Sequence, residues 1–210
     1  MIQRQRIVTI GHSSHSIERF IALLEAARVT AVADVRSSPV SRFAPQFNKD
    51  ALAQALATHH VEYGFLGNAL GGRPKQAMMF TEGVADYEKM SASKEFRVGL
   101  ARLIEAAERH RIAVMCSEAD PLDCHRCLLV ARALVEDGKE VFHILPAGET
   151  IAHREIEERL LETENLAEHT LFFRSRSERL AEAYRSRGRK IAFAESGPHT
   201  ASNAREANRA

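Results

Sequence analysis

Apolar positions along the first 145 residues switch repeatedly between a strand-like and a helix-like pattern. Arg6-Ile-Val-Thr-Ile10 reads as a short buried strand ending at Gly11. Ile17, Phe20, Leu23, Leu24 and Ala27 then recur at helical spacing over 16–27, with Ser16 placed to accept from an orphan N–H one turn in. Val29–Val35 is a second β-rich run, 49–58 a helix opened by Asn48, and Val61–Leu66 a third strand. From Gly67 to about Met90 the pattern is irregular and rich in turn residues, and loops that long in a compact domain are often functional. A helix over 93–109 leads into Arg111–Cys116, the clearest strand of the chain. A helix from Cys124 to Glu136 ends before Gly138, a residue suited to a left-handed cap, and Val141–Leu145 is a fifth strand stopped by Pro146.

This alternation predicts an α/β fold: a mostly parallel sheet of about five strands with right-handed crossovers and helices on both faces, plus a C-terminal helical extension. The expected division is an α/β core over 1–150, a charged helical extension over 151–194 and a flexible polar tail over 195–210. Within the extension, helices are expected over 152–163 and 175–187, and the only strand candidate is Lys190–Phe193.

Composition adds limits. A chain of 210 residues, 45% of them hydrophobic, can bury a full core without a staple. Lys+Arg number 29 and Asp+Glu 28, so the net charge of +1 carries no information about partners. No run approaches the ~18 apolar residues of a membrane span, and the N-terminal residues lack the apolar stretch of a secretion signal. The expectation is a cytoplasmic protein with reduced thiols and no membrane partner. The oligomeric state is not legible. Three cysteines, all between 116 and 127, argue against a disulfide framework.

In open parallel sheets ligands bind outside the carboxyl ends of the strands. Three of the expected strand exits concentrate ionisable and nucleophilic groups: Gly11-His12-Ser13; Asp34-Val-Arg36 followed by Arg42; and Cys116-Ser-Glu118 followed by Asp123-Cys-His-Arg126. With Asp123 as cap, Cys124, His125 and Arg126 fall in the first turn of a helix, where cations oppose the macrodipole unless an anion rests among them. The same field favours a Cys124 thiolate. The expected catalytic set is therefore His12, Cys116, Glu118, Cys124 and His125, with Arg36, Arg42, Arg73 and Arg126 as substrate-binding cations. Glu118 and His12 share acid–base work, and Cys116 or Cys124 is the nucleophile. The structural alternative is that Arg126 pairs with Asp120 or Asp123 and merely ties the loop down. Leu70-Gly-Gly-Arg-Pro74 is either a hinged lid carrying a cation or only a turn. No metal or cofactor is expected. Cys124-x-x-Cys127 as a redox pair, and a Cys3His zinc site from all three cysteines, are lesser alternatives, because neither spacing matches its usual signature.

The chain resembles a widespread prokaryotic family catalogued as domain of unknown function 488. The resemblance rests on Thr9-Ile-Gly-His-Ser13, Asp34-Val-Arg36, Pro39-x-Ser-Arg42, Tyr63-x-x-Leu-Gly67, Leu70-Gly-Gly72, Tyr87-x-x-Met90, Cys116-x-Glu118 with Cys124-His-Arg126, and His143-Ile144. Ala183-Tyr184 and Lys190-Ile-Ala192 look like its usual C-terminal piece. The resemblance implies an α/β fold and a shared functional set at these positions, with no activity to carry over. Cys127 falls where relatives are expected to hold an apolar helix residue, which further weakens the redox alternative.

The functional expectation is an enzyme acting on a phosphate-bearing substrate, a nucleotide or nucleic acid, by hydrolysis or group transfer. The alternative is a nucleic-acid-binding or regulatory module. Residues 174–190 carry seven cations against Glu178 and Glu182, a net +5, with Phe172, Phe173 and Tyr184 as stacking surfaces. A solvated helix packing Leu180 and Tyr184 on the core accounts for the same pattern.

Overall fold

The computed structural model describes residues 6–167 and 175–195. Its strands are β1 (Arg6–Gly11), β2 (Ala31–Asp34), β3 (Glu62–Phe65), β4 (Phe80–Thr81), β5 (Val84–Ala85), β6 (Ile112–Cys116), β7 (Glu140–Ile144) and β8 (Thr150–Ala152). Its α-helices are α1 (Ile17–Ala26), α2 (Lys49–Thr58), α3 (Gly67–Leu70), α4 (Tyr87–Ala92), α5 (Lys94–Ala107), α6 (Arg132–Glu136), α7 (His153–Thr163) and α8 (Arg176–Ile191). Six strands form one sheet in the order β3-β2-β6-β1-β7-β8, parallel except for the antiparallel edge strand β8. The α/β fold expected from the alternation is the fold observed.

Strand side chains divide between two faces, as the two-residue period of a strand requires. Val8, Ile10, Val32, Ala113 and Met115 pack against Phe20 and Leu24 of α1 and Leu52 and Leu56 of α2. Ile7, Ala33, Ile112, Val114 and Val141 pack on the other face against α5, α6, α7 and α8, through Leu100, Leu134, Leu160 and Ala183 among others. Ser16 caps α1 by accepting from the Arg19 N–H at 3.2 Å.

Four details differ from the expectation. Pro146 ends β7, but a turn with Gly148 at φ 103° returns the chain as β8, so the sheet crosses the boundary expected at residue 150. Helices α7 and α8 then bury Ile156, Leu160, Leu180 and Tyr184 in the same core as the sheet, not in a separate extension. The irregular stretch after Gly67 holds α3, α4 and the small β4–β5 hairpin, which Ala194 joins through a bridge to Val84. Finally, no α-helix starts at Cys124. A 3-10 turn over Pro121–Asp123, capped by Asp120 accepting from Leu122 N–H at 2.8 Å, leads to an extended Cys124, and a π-helix over Arg126–Ala131 continues into α6. Asp123 does not cap this helix, and its carboxylate pairs with Arg187 of α8. Phe172, Phe173, Arg174 and most of the expected 195–210 tail lie outside the described residues.

A buried polar chain fastens α7 and α8 to the sheet. Thr9 Oγ1 lies 2.8 Å from His143 Nδ1, His143 Nε2 lies 2.9 Å from His153 Nδ1, and His153 Nε2 lies 2.8 Å from the Tyr184 hydroxyl. Each ring nitrogen in this chain is paired. Burial lowers both imidazoles, His143 well below its ordinary value with His153 adding to the effect, and His153 to about 4.

Candidate active site

The chain leaves β1 through α1 on one face of the sheet and leaves β6, its neighbour, through the π-helix and α6 on the other. A crevice opens where adjacent strands diverge in this way. Here it is a cavity of about 710 Å³, lined by groups from the exits of β1, β2 and β6. The backbone of the β1 exit is tied to that of β6, His12 N–H donating to Cys116 O at 2.9 Å and Ser13 N–H to Ser117 O at 2.8 Å.

The loop after β6 folds across the end of β1. A Cβ on Gly11 would stand 1.8 Å from Glu118 O, so only glycine allows this approach. Arg126 holds the same loop from below: Nη1 donates to Glu118 O at 2.6 Å and Nη2 to Ala119 O at 3.0 Å. Its side chain is fully buried, and its Nε has no partner. Arg126 was expected to hold a substrate anion; the structure gives it two carbonyls and no face on the cavity. Nor does it pair with Asp120 or Asp123, since Asp120 meets Arg159 and Asp123 meets Arg187.

Arg36 is fixed in a different way. Asp34 accepts from its Nε at 2.9 Å and its Nη2 at 2.6 Å, and Phe47 O accepts from Nη2 at 2.8 Å. The Tyr63 hydroxyl donates to the same carboxylate at 2.7 Å. This leaves Nη1 facing the cavity, 3.4 Å from His12 Nε2. Since a guanidinium only donates, His12 Nε2 accepts, and its Nδ1 carries the hydrogen given to Ser13 O at 2.9 Å. Burial, with Arg36 adding to it, lowers the His12 imidazole, so His12 is a neutral ring stacked on Phe47 at 4.3 Å.

At the floor stand Cys116, Glu118, Cys124 and His125. His125 Nε2 lies 3.0 Å from Val35 O, and because a carbonyl only accepts, Nε2 bears a hydrogen. Its Nδ1 therefore faces the two sulfurs, 3.7 Å from Cys116 Sγ and 3.9 Å from Cys124 Sγ. Cys124 Sγ also lies 2.9 Å from Glu118 Oε2 and accepts from Arg126 N–H at 3.4 Å. Burial by itself raises the Cys124 thiol, but the Cys116 hydrogen bond, the Arg126 guanidinium and His125 outweigh it and hold the group well below the ordinary thiol range. Cys116 is pushed well above that range by burial and by Cys124. The sulfurs thus titrate as a pair that loses one proton readily and the second with difficulty. Glu118 is raised by burial and by Cys124, whose sulfur stands 2.9 Å from its Oε2. His125 is raised despite its burial, through its bond to Cys124.

Cys116, Glu118, His12, His125, Arg36 and Arg73 line the cavity, with Cys124 directly behind Cys116. Arg42, an expected substrate-binding cation, is not among the groups lining the cavity; its guanidinium lies 4.7 Å above the exposed ring of Phe43, which is, and Arg73 lies 5.2 Å from the Phe193 ring at the mouth. Cys127 is elsewhere, its thiol raised by burial and its Sγ near His143 and His153, so the three cysteines do not meet in a Cys3His group. Leu70-Gly-Gly-Arg-Pro74 packs on the floor. A Cβ on Gly72 would lie 2.8 Å from His125 Cγ, and one on Gly71 2.5 Å from Ser37 Oγ.

Asp34 and Tyr63, which the resemblance included but the expected catalytic and binding set did not, belong to the site, as do Phe47 and the Val35 carbonyl. The spacing of Asp34 and Arg36, two apart at a strand end and so on one side, was the available signal for the first. The carbonyl partners of Arg36, Arg126 and His125 leave no trace in a side-chain pattern.

An α/β protein with a thiol, imidazole and carboxyl centre in a switch-point cavity is the class that this geometry defines. The chain belongs to the family described as Domain of unknown function DUF488, whose profile matches residues 16–133, more than half of its length. No curated protein and no solved structure matches the chain. Among the described residues, no helix is long and apolar enough to cross a membrane.

Proposed function

We propose that this protein is an enzyme acting on a phosphate-bearing substrate, a nucleotide or nucleic acid, by hydrolysis or group transfer in the switch-point cavity. The observation that carries the reading is the pairing of a reactive floor with an arginine–aromatic mouth. Phe43 and Phe193 offer surfaces on which a base stacks, while Arg42 and Arg73, each beside one of those rings, supply charge for phosphate oxygens. Arg36 Nη1 adds one donor deeper in the cavity.

At the floor, Cys116 is the sulfur that faces the cavity, and Cys124 shares its charge. Cys116 passes its thiol proton to the Cys124 sulfur and bonds to phosphorus as the bond to the leaving oxygen breaks, and that oxygen takes a proton from the Glu118 carboxyl, whose affinity for it burial raises. Water or a second acceptor then displaces the sulfur, giving its own proton to Glu118 while Cys116 takes its proton back from Cys124, which gives hydrolysis or transfer respectively. His125 holds the pair of sulfurs in its field, and His12, neutral, accepts hydrogen bonds but has no proton to spare at Nε2.

The test is equilibrium binding of a panel of nucleoside mono-, di- and triphosphates and a short single-stranded oligonucleotide. Phe43→Ala and Arg73→Ala are expected to weaken binding about tenfold each without lowering thermal stability. Binding that neither substitution changes, or none across the panel, contradicts the reading.

A further inference from the structure

We propose that Cys116, Cys124 and His125 form a binding site for a thiophilic divalent cation of the zinc type, with a remaining coordination position open to the cavity. The donor atoms of these three buried residues all lie within 4.8 Å of one another. Tetrahedral coordination at usual zinc bond lengths sets a sulfur and a nitrogen about 3.6 Å apart. Here His125 Nδ1 stands 3.7 and 3.9 Å from the two sulfurs, so the ligands need little movement.

Three further features fit an ion. His125 gives its other ring hydrogen to Val35 O, the outer-shell contact that orients ligating histidines. The Arg126 N–H already donates to Cys124 Sγ, as backbone amides do to metal-bound thiolates. Two thiolates balance the charge of a divalent ion. The open side is the cavity, lined by both Cys116 and His125, with Glu118 Oε2 2.9 Å from Cys124 Sγ and in reach of the remaining position. The other group of three, Cys127 with His143 and His153, has both histidines fully paired in the Thr9–Tyr184 chain and offers no such opening.

Ion and nucleophile are alternatives at the same atoms. In the loaded protein both sulfurs are ligands, so the thiol chemistry proposed above belongs to the metal-free form; in that respect the inference rests on the same reading of the floor. The ion would regulate the centre by occupying it.

The test starts from full-length protein stripped with a chelator under reducing conditions and titrated with Co2+. One equivalent is expected to give the sulfur-to-cobalt charge-transfer absorption and the intense visible bands of a tetrahedral site, with Zn2+ displacing it. Both features should vanish in Cys116→Ser and Cys124→Ser and persist in Cys127→Ser. No charge-transfer absorption in the wild type overturns the proposal. So does absorption that survives the first two substitutions and is lost in the third, which would put the ion beside His143 and His153. Because a substituted core can misfold, wild-type alkylation is followed as well: Zn2+ should abolish iodoacetamide labelling of Cys116, and a chelator should restore it. Labelling indifferent to Zn2+ overturns the proposal. Nucleotide binding and turnover of the stripped protein report on the enzyme reading separately, so either can fail alone.

Discussion

Glu118 and Arg126 sit eight residues apart in one loop, and the structure assigns them different kinds of work. Glu118 meets the cavity and a sulfur, whereas Arg126 meets two buried carbonyls. Glu118→Gln keeps the shape of the carboxyl, so it should unfold within a few degrees of wild type while turnover falls about a hundredfold or more. Arg126→Met leaves the carbonyls of Glu118 and Ala119 unpaired and should lower stability by about 2–5 kcal/mol, read by urea unfolding. Equal stability of the two variants would contradict this division. Gly11→Ala belongs with Arg126: its new methyl meets Glu118 O, and a loss of about 3 kcal/mol with displacement of the loop is expected. The sequence made the cluster legible because titratable side chains crowded the strand exits. It did not reveal that Arg126 bonds backbone oxygens, since any loop offers carbonyls and only the folded path of residues 117–119 brings two to one guanidinium.

Among the elements, β2 shows how much a strand end can encode. Asp34 and Arg36 lie on one side of the chain, and Tyr63 from β3 adds its hydroxyl to the same carboxylate. Asp34→Asn should leave Arg36 buried without its counter-charge and lower stability by about 3–5 kcal/mol. The π-helix after Cys124 was not legible, because its apolar spacing from Leu128 to Leu134 is that of an ordinary helix. Nor was β8, three residues long and too short to show a period.

Helix α7 carries a pH dependence. His153 faces His143, Tyr184 and Glu157, and His143 also faces Thr9, with Arg126 and Arg159 adding positive field. Both rings bind protons less readily folded than unfolded. Their contribution to stability is present above the unfolded value of 6.5 and is lost as pH falls toward about 4, the folded value of His153. That group alone accounts for a loss on the order of 3 kcal/mol. Urea unfolding at pH 7 and pH 5 should show most of the decline, and His153→Gln should flatten it. A wild-type stability unchanged between those pH values would contradict the burial argument.

At the scale of the whole molecule, the charge asymmetry that suggested a nucleic-acid-binding helix has an internal explanation. On α8, Arg176 pairs with Glu157 and Glu158, Arg185 with Glu88, Arg187 with Asp123 and Lys190 with Glu164, while Arg179 donates to Leu166 O. These cations fasten the helix to the acidic remainder of the chain. Arg187→Ala and Lys190→Ala together should therefore lower thermal stability while leaving oligonucleotide affinity within about twofold; an affinity that collapses with them would restore the helix as a binding surface. The alternation of strands and helices carried most of the fold, and the crowding of chemistry at three exits pointed to the edge where the cavity of about 710 Å³ lies. The closing contacts of α7 and α8 were hidden because a charged helix looks alike whether its partners are water or its own core.

Turnover by the metal-free protein bears most directly on the switch-point cavity as a reactive centre. Wild type, Cys116→Ser and Glu118→Gln should be incubated with the nucleotide and oligonucleotide panel under reducing conditions with chelator, and phosphate release or transfer followed by mass spectrometry. The expected result is conversion by wild type that both folded variants lose. Conversion that persists undiminished in both variants, or its absence in wild type across the panel, would contradict it.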